Sequence, residues 1–304
     1  MSIPLRRRAR AAALRGLVRS TGWLPPGVLD AALRPAAKVA FWKRYQAVLE
    51  HNLSATIDGI RALDPAAADR LGDTRGFGQE VARYASEQAA HWVRLARGTE
   101  GRRGAWLENQ VQLGPGLEHL DQVLAEGRGA IVVTAHIGNW ELLCARLRRR
   151  GHAGAVVGRV RRGDPSHGWL MEMRDAYGVQ TIPQDAHPRA ALDVLRGGGI
   201  LGLLTDLRVR QLDGRMVPFF GTPALTMTAP AAFARVHRAP IVPVRCVRLP
   251  GDRLHTLDAS EPLHLREDLG REDALMDLLA RQNRLFEEWI LETPEQWAWH
   301  QRRW

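Results

Sequence analysis

The 304-residue chain has two cysteines, Cys144 and Cys246, and no apolar run near the roughly 20 residues that a bilayer-spanning helix needs. So few cysteines exclude a disulfide framework and favor a reducing compartment. Both cysteines sit in apolar surroundings and read as core residues. Acidic residues are missing from the start of the chain. Arg6, Arg7, Arg8, Arg10, Arg15 and Arg19 all precede Asp30, the first carboxylate, with Leu5, Leu14, Leu17, Val18, Trp23 and Leu24 interspersed. The apolar stretch among them is too short for a signal-peptide core. A segment lying on an anionic membrane fits it best, with an organellar transit peptide or a solvated tail as the other readings.

Several catalytic signatures are also missing. Asp164-Pro165-Ser166-His167-Gly168 lacks the first glycine of a nucleophile elbow. No histidine or cysteine grouping has metal-binding spacing. Gly127-Arg128-Gly129 precedes its strand, where a dinucleotide fingerprint would follow one. Nothing in the sequence requires a cofactor or a metal. The net charge of +10 favors anionic partners. Nucleic acid is not expected among them, because many arginines alternate with acids in amphipathic helices and no reading motif accompanies them.

What is present reads as α/β, a mostly parallel central sheet flanked by helices with an N-terminal helical membrane-associating lobe. Residues 1–27 form the basic amphipathic membrane-facing segment, 28–104 the helical lobe and 105–304 the α/β core. In the lobe, apolar spacing indicates helix on both sides of a break at 71–76. Beyond it, strands are expected at 130–135, 153–158, 179–182, 199–205, 241–248 and 253–259. Helices are expected at 116–126, 139–150, 165–178, 188–196, 226–237 and 271–292. Short apolar runs separated by helical periods imply parallel strands buried on both faces.

The strongest chemical signal is His136 and Glu141, in Thr134-Ala-His-Ile-Gly-Asn-Trp-Glu-Leu142, just beyond the apolar run at 130–133. Ligands of α/β sheets collect at the carboxyl ends of strands, where His136 falls. The two residues are five apart, about 140° around an ideal helix, so a turn has to join them. Gly138 permits that turn, Asn139 can cap the helix, and Glu141 falls in its first turn. A histidine near neutral pKa can take a proton from a substrate hydroxyl while a carboxylate on its other nitrogen fixes the tautomer. First-turn amides of the helix could hold the resulting oxyanion, and no enzyme nucleophile is then required. The alternative reading has His136 capping a strand and Glu141 exposed in a first turn.

The stretch from Gly127 to Glu141 resembles the signature of the bacterial lipid A biosynthesis (lauroyl/myristoyl) acyltransferase family, within the wider lysophospholipid acyltransferase group. Three further blocks match in order: Pro218-Phe-Phe-Gly-Thr-Pro-Ala224, Ala239-Pro-Ile-Val-Pro-Val244 and Pro294 to Trp304. His51-Asn52-Leu53 suits the family's N-terminal helix. The resemblance implies His136 as general base and Glu141 as its orienting partner. It also implies an acyl carrier protein or coenzyme A thioester donor, a lipid A precursor or related glycolipid acceptor, and a place at the cytoplasmic face of the bacterial inner membrane. Arg159, Arg174 and Asp206 fall in blocks associated with substrate phosphate and polar contacts. Asn139, Phe219 and Phe220 are further expected substrate-binding positions, with core packing the alternative for the phenylalanines. Trp297, Trp299, Arg302, Arg303 and Trp304 suit either a membrane interface or a tail closing over the core. An acyltransferase for a different glycolipid or phospholipid, or a basic lipid-binding protein without catalysis, would also fit the sequence.

Overall fold

A computed structural model describes residues 12–13, 16, 20–21, 24–97, 101–160, 165–208, 213–252 and 254–304. The expected membrane-facing segment at 1–27 falls largely outside them. Among the described residues, no helix is long and apolar enough to cross a membrane.

The helical lobe has two breaks where the sequence pattern suggests one. Helices α1 (Pro26–Leu63), α2 (Pro65–Gly72) and α3 (Thr74–Leu95) are separated at Asp64 and Asp73. Pro65 drives the first break: it disfavors helical geometry at Asp64, which is extended at φ −146° and ψ 96°. The Asp64 carboxylate then caps α2 by accepting the Ala67 amide at 3.0 Å, and Asp73 accepts the Gly76 amide at 3.1 Å to cap α3.

Next come α4 (Arg102–Gln110), β1 (Val111–Leu113), α5 (Leu117–Ala125), β2 (Ala130–Thr134), α6 (Trp140–Arg149) and β3 (Gly154–Gly158). They are followed by α7 (Pro165–Ala176), β4 (Gln180–Pro183), α8 (Arg189–Arg196) and β5 (Ile200–Leu204). A hairpin of β6 (Gly214–Phe219) and β7 (Thr222–Met227) precedes α9 (Ala229–His237), β8 (Ile241–Val247), β9 (His255–Ala259) and α10 (Arg271–Glu292). A 3-10 turn, Pro294–Gln296, leads into the C-terminal segment.

Seven strands form one sheet in the order β1-β9-β8-β2-β5-β3-β4, parallel except where β8 meets β9. Strand β2 is buried throughout. Its alternate residues enter two different cores, Ile131 and Val133 one, Ala130 and Val132 the other. Helices therefore cover both faces, as a continuous apolar strand requires. The expected α/β class is what the chain forms. Strand β1 and the β6–β7 hairpin were not anticipated, because three residues of strand and a proline-containing ribbon leave little periodicity to read. Cys246 is buried and Cys144 partly so, with their thiols unpaired.

Candidate active site

Two adjacent parallel strands place the polar groups. In the β2–β5 ladder Thr134 lies opposite Leu204, and the Thr205 amide donates to the Thr134 carbonyl at 3.1 Å. Two residues further along each strand stand His136 and Asp206, so the ladder's register delivers them side by side. His136 Nδ1 and Asp206 Oδ1 are 2.8 Å apart, and the His136 backbone N–H donates to Asp206 Oδ2 at 2.8 Å. Trp297 Nε1 donates to that same Oδ2 at 2.7 Å.

Asp206 is wholly buried, whereas the His136 side chain is 20% exposed. Burial works to raise the Asp206 carboxyl, but the His136 charge and the hydrogen bonds from His136 and Trp297 outweigh it and hold the group below its usual range. An ionized Asp206 can only accept, which assigns the Nδ1 proton to His136 and leaves Nε2 with its lone pair. A neighbor, His300, is held at about 4 by burial, with the nearby His136 imidazole adding to the effect.

The turn after His136 is fixed by its neighbors. Gly138 has φ +62°, and a Cβ there would lie 2.0 Å from the Cys246 carbonyl oxygen. The Gly138 amide donates to Gln296 O at 3.1 Å and the Asn139 amide to Cys246 O at 2.8 Å. Ala298 N donates to His136 O at 2.9 Å. Asn139 caps α6 as expected, its Oδ1 accepting Leu142 N and Trp92 Nε1, each at 3.0 Å. Its Nδ2 donates to Gln88, so this side chain is spent on structure, away from any ligand role.

Glu141 does not touch His136, which corrects the expected pairing. Its buried carboxylate accepts from Arg174 Nη2 at 2.7 Å and Arg174 Nε at 3.1 Å, and from the Tyr177 hydroxyl. The angular separation explains this: Glu141 leaves α6 toward α7 while His136 stands at the strand end. Burial disfavors the Arg174 charge, yet the Glu141 carboxylate more than compensates and raises its pKa. Arg174 also donates to Thr181 Oγ1 at 3.2 Å, so its fork is occupied and the expected substrate contact is not available. Arg159 is exposed beyond β3 and does not line the cleft around His136.

Phe219 and Phe220 are buried and also lie outside the cleft lining. Phe219 packs on Trp297 with ring centers 5.8 Å apart, beneath the Arg303 guanidinium at 4.8 Å from its centroid. Phe220, at φ +48°, turns the β6–β7 hairpin against α1, where a Cβ on Gly59 would lie 1.9 Å from the Phe220 carbonyl oxygen. Trp297, Trp299 and Arg303 are buried as well, so those residues of the C-terminal block close over the core.

A cleft of about 570 Å³ opens over His136. Trp140 stands beside the imidazole, ring centers 5.1 Å apart, and stacks edgewise on Trp92 at 5.5 Å. Trp297 and His300 bound it from the C-terminal segment, Tyr45 and Arg44 from α1. Sequence reasoning missed Trp297 as a carboxylate partner and His300 altogether; the signal available was the clustering of aromatic and polar residues in the block from Pro294 to Trp304. Chemically, the arrangement offers a buried carboxylate, an oriented imidazole with a free nitrogen, and an aromatic-walled recess above it. Among the described residues no group of three or more histidine, cysteine or acidic side chains is placed to hold a metal ion.

A family model described as bacterial lipid A biosynthesis acyltransferase matches residues 79–304. Similar proteins include a phosphatidylinositol mannoside acyltransferase of Mycobacterium tuberculosis, 27% identical over 135 residues, covering 43% of this chain and 42% of that protein. A protein of the same description from Mycolicibacterium smegmatis is 28% identical over 138 residues, covering 43% and 44%. The chain thus aligns with less than half the length of these relatives.

Proposed function

Because the chain belongs to the bacterial lipid A biosynthesis acyltransferase family, we propose that it moves a fatty acyl group from an acyl thioester to a hydroxyl of a membrane glycolipid. The observation that carries the residue roles is the His136–Asp206 contact on the floor of the cleft. His136 Nε2 takes the proton of the acceptor hydroxyl as its oxygen attacks the thioester carbonyl. Asp206 fixes the tautomer and stabilizes the imidazolium that results. The carbonyl oxygen becomes an oxyanion near the first turn of α6. There the Gly138, Asn139 and Leu142 amides are already bonded, leaving the Trp140 and Glu141 amides of the first turn as the donors to receive it. Collapse breaks the carbon–sulfur bond, and the imidazolium returns its proton to the departing thiolate. The products are an ester and a free thiol, with no acyl-enzyme.

Glu141 in this reading is a brace for α6 and α7, and the orienting role implied for it passes to Asp206. The donor is an acyl carrier protein or coenzyme A thioester. Both the family description and the mannoside relatives favor a sugar-bearing lipid acceptor. Peripheral attachment to the cytoplasmic face of the inner membrane suits a basic chain with lipid substrates.

The test is transfer of a radiolabeled acyl chain from each thioester to a lipid A precursor and to a mannosylated phosphatidylinositol. Wild type is expected to label one acceptor, with His136→Ala and Asp206→Asn slower by about 10²–10⁴-fold. Equal turnover by wild type and His136→Ala removes the base; no labeling of any glycolipid by wild type removes the transferase reading.

A further inference from the structure

The sequence points to Arg174 and Arg159 for phosphate, yet the first is consumed by Glu141 and the second lies away from the cleft. Two other arginines do line it. Arg44, on α1, and Arg302, in the C-terminal segment, are both exposed on the wall of the recess that holds His136. Neither forms an ion pair among the described residues; Arg44 lies over the Tyr45 ring, 5.5 Å from its centroid. Other arginines around the fold, such as Arg70, Arg174 and Arg248, sit on carboxylates instead. The one acidic residue lining the cleft, Glu295, is already paired with Arg70 at 3.1 Å.

Their supports are rigid. Asn52, two helical turns beyond Arg44, donates to the Trp299 carbonyl at 2.8 Å and the Gln301 carbonyl at 2.7 Å, clamping α1 to the C-terminal segment. Tyr45, next to Arg44, meets His300, two residues before Arg302, ring to ring at 5.1 Å. The Arg302 carbonyl accepts the Arg208 amide at 3.2 Å, tying this edge to the loop that follows Asp206. Among the other lining residues, Tyr45 and Gln301 carry no charge and burial keeps His300 uncharged above about pH 4.

We propose that Arg44 and Arg302 form a phosphate-binding rim on the His136 cleft, holding a phosphate monoester or diester carried by one of the reactants. Guanidinium forks match the oxygens of a phosphate, and among the described residues no carboxylate pairs with either one, Glu295 being held by Arg70. The proposal rests on the acyltransferase reading for what the phosphate is attached to: the pantetheine side of a thioester donor or the headgroup of the lipid acceptor.

Binding without turnover separates the two ideas. Coenzyme A serves as the donor-side probe and phosphatidylinositol in neutral detergent micelles as the acceptor-side probe, each titrated calorimetrically into the full chain. R44Q/R302Q is expected to weaken at least one probe tenfold or more, and the probe affected names the source of the phosphate. His136→Ala is expected to bind both as wild type does, whether or not it turns over. R189Q/R196Q, which removes two exposed charges from α8, controls for general electrostatics. The rim is refuted if R44Q/R302Q binds both probes as tightly as wild type, if wild type binds neither, or if R189Q/R196Q suffers the same loss.

Discussion

Trp297 and the His136 backbone amide donate to one and the same oxygen of Asp206, leaving the other oxygen to the His136 ring. The carboxylate cannot rotate without losing two charge-assisted bonds at once. Trp297 thereby sets the direction from which the imidazole is held, although it lies 91 residues beyond Asp206 in the chain.

Trp297→Phe keeps most of the ring packing and removes the donor. A hydrogen bond to a charged group is worth about 2 kcal/mol, so the variant should lose that much in urea denaturation at neutral pH. The lowered pKa of Asp206 contributes stability above the ordinary carboxyl range that is lost as pH falls through the folded value. Without the indole that value rises, and acid unfolding of the variant should begin at higher pH than in wild type.

His300 gives a second pH dependence. Its folded pKa of about 4 lies below the 6.5 of a free histidine, so as pH drops through that interval the unfolded chain takes up a proton that the folded protein refuses. Stability is therefore full above about pH 6.5 and declines toward pH 4, by up to about 3 kcal/mol from this residue. Buried His255, also depressed, falls in the same direction. Comparing urea midpoints at pH 7 and pH 4.5, His300→Asn should lose less than wild type, while retaining the His255 component.

Glu141→Gln leaves Arg174 charged and buried with its main partner gone. Breaking one side of such a pair costs about 3–5 kcal/mol, expected as a melting temperature lower by on the order of 10 °C. Adding Arg174→Met should recover part of the loss, because the uncompensated charge is removed with it. A double variant less stable than Glu141→Gln would contradict the brace role.

Gly138→Ala combines a left-handed backbone with a Cβ driven into the Cys246 carbonyl. Strain of both kinds should cost roughly 3 kcal/mol or more. Soluble yield and melting temperature are the readouts, and a melting temperature equal to wild type would mean that the turn can open.

Strands β2, β3, β4, β5, β8 and β9 of the sheet and the position of His136 beyond β2 are legible in the sequence because apolar period and strand length report directly on burial. Helix α10, expected at about 271–292, runs from Arg271 to Glu292. The carboxylate on His136 was harder. Glu141 is near it in sequence, whereas Asp206 is near it only through the pairing of β2 with β5, and pairing between strands is not written in either strand alone. Asp206 directly follows the strand expected at 199–205, and the sequence does not carry the register that sets it opposite His136. Arg174 looked like a phosphate ligand for the same reason: a sequence shows a guanidinium and not the buried carboxylate that occupies it.

The clamp from Asn52 to Gln301 spans 249 residues of chain. Closing a loop of that length is entropically costly and comes late relative to local helices and neighboring strands. The sheet can therefore form with His136 beside Asp206 before the cleft has walls. The recess gains its Tyr45 and His300 wall only when these distant segments meet, so a chain whose sheet has formed before the clamp holds His136 beside Asp206 with that side of the cleft still open.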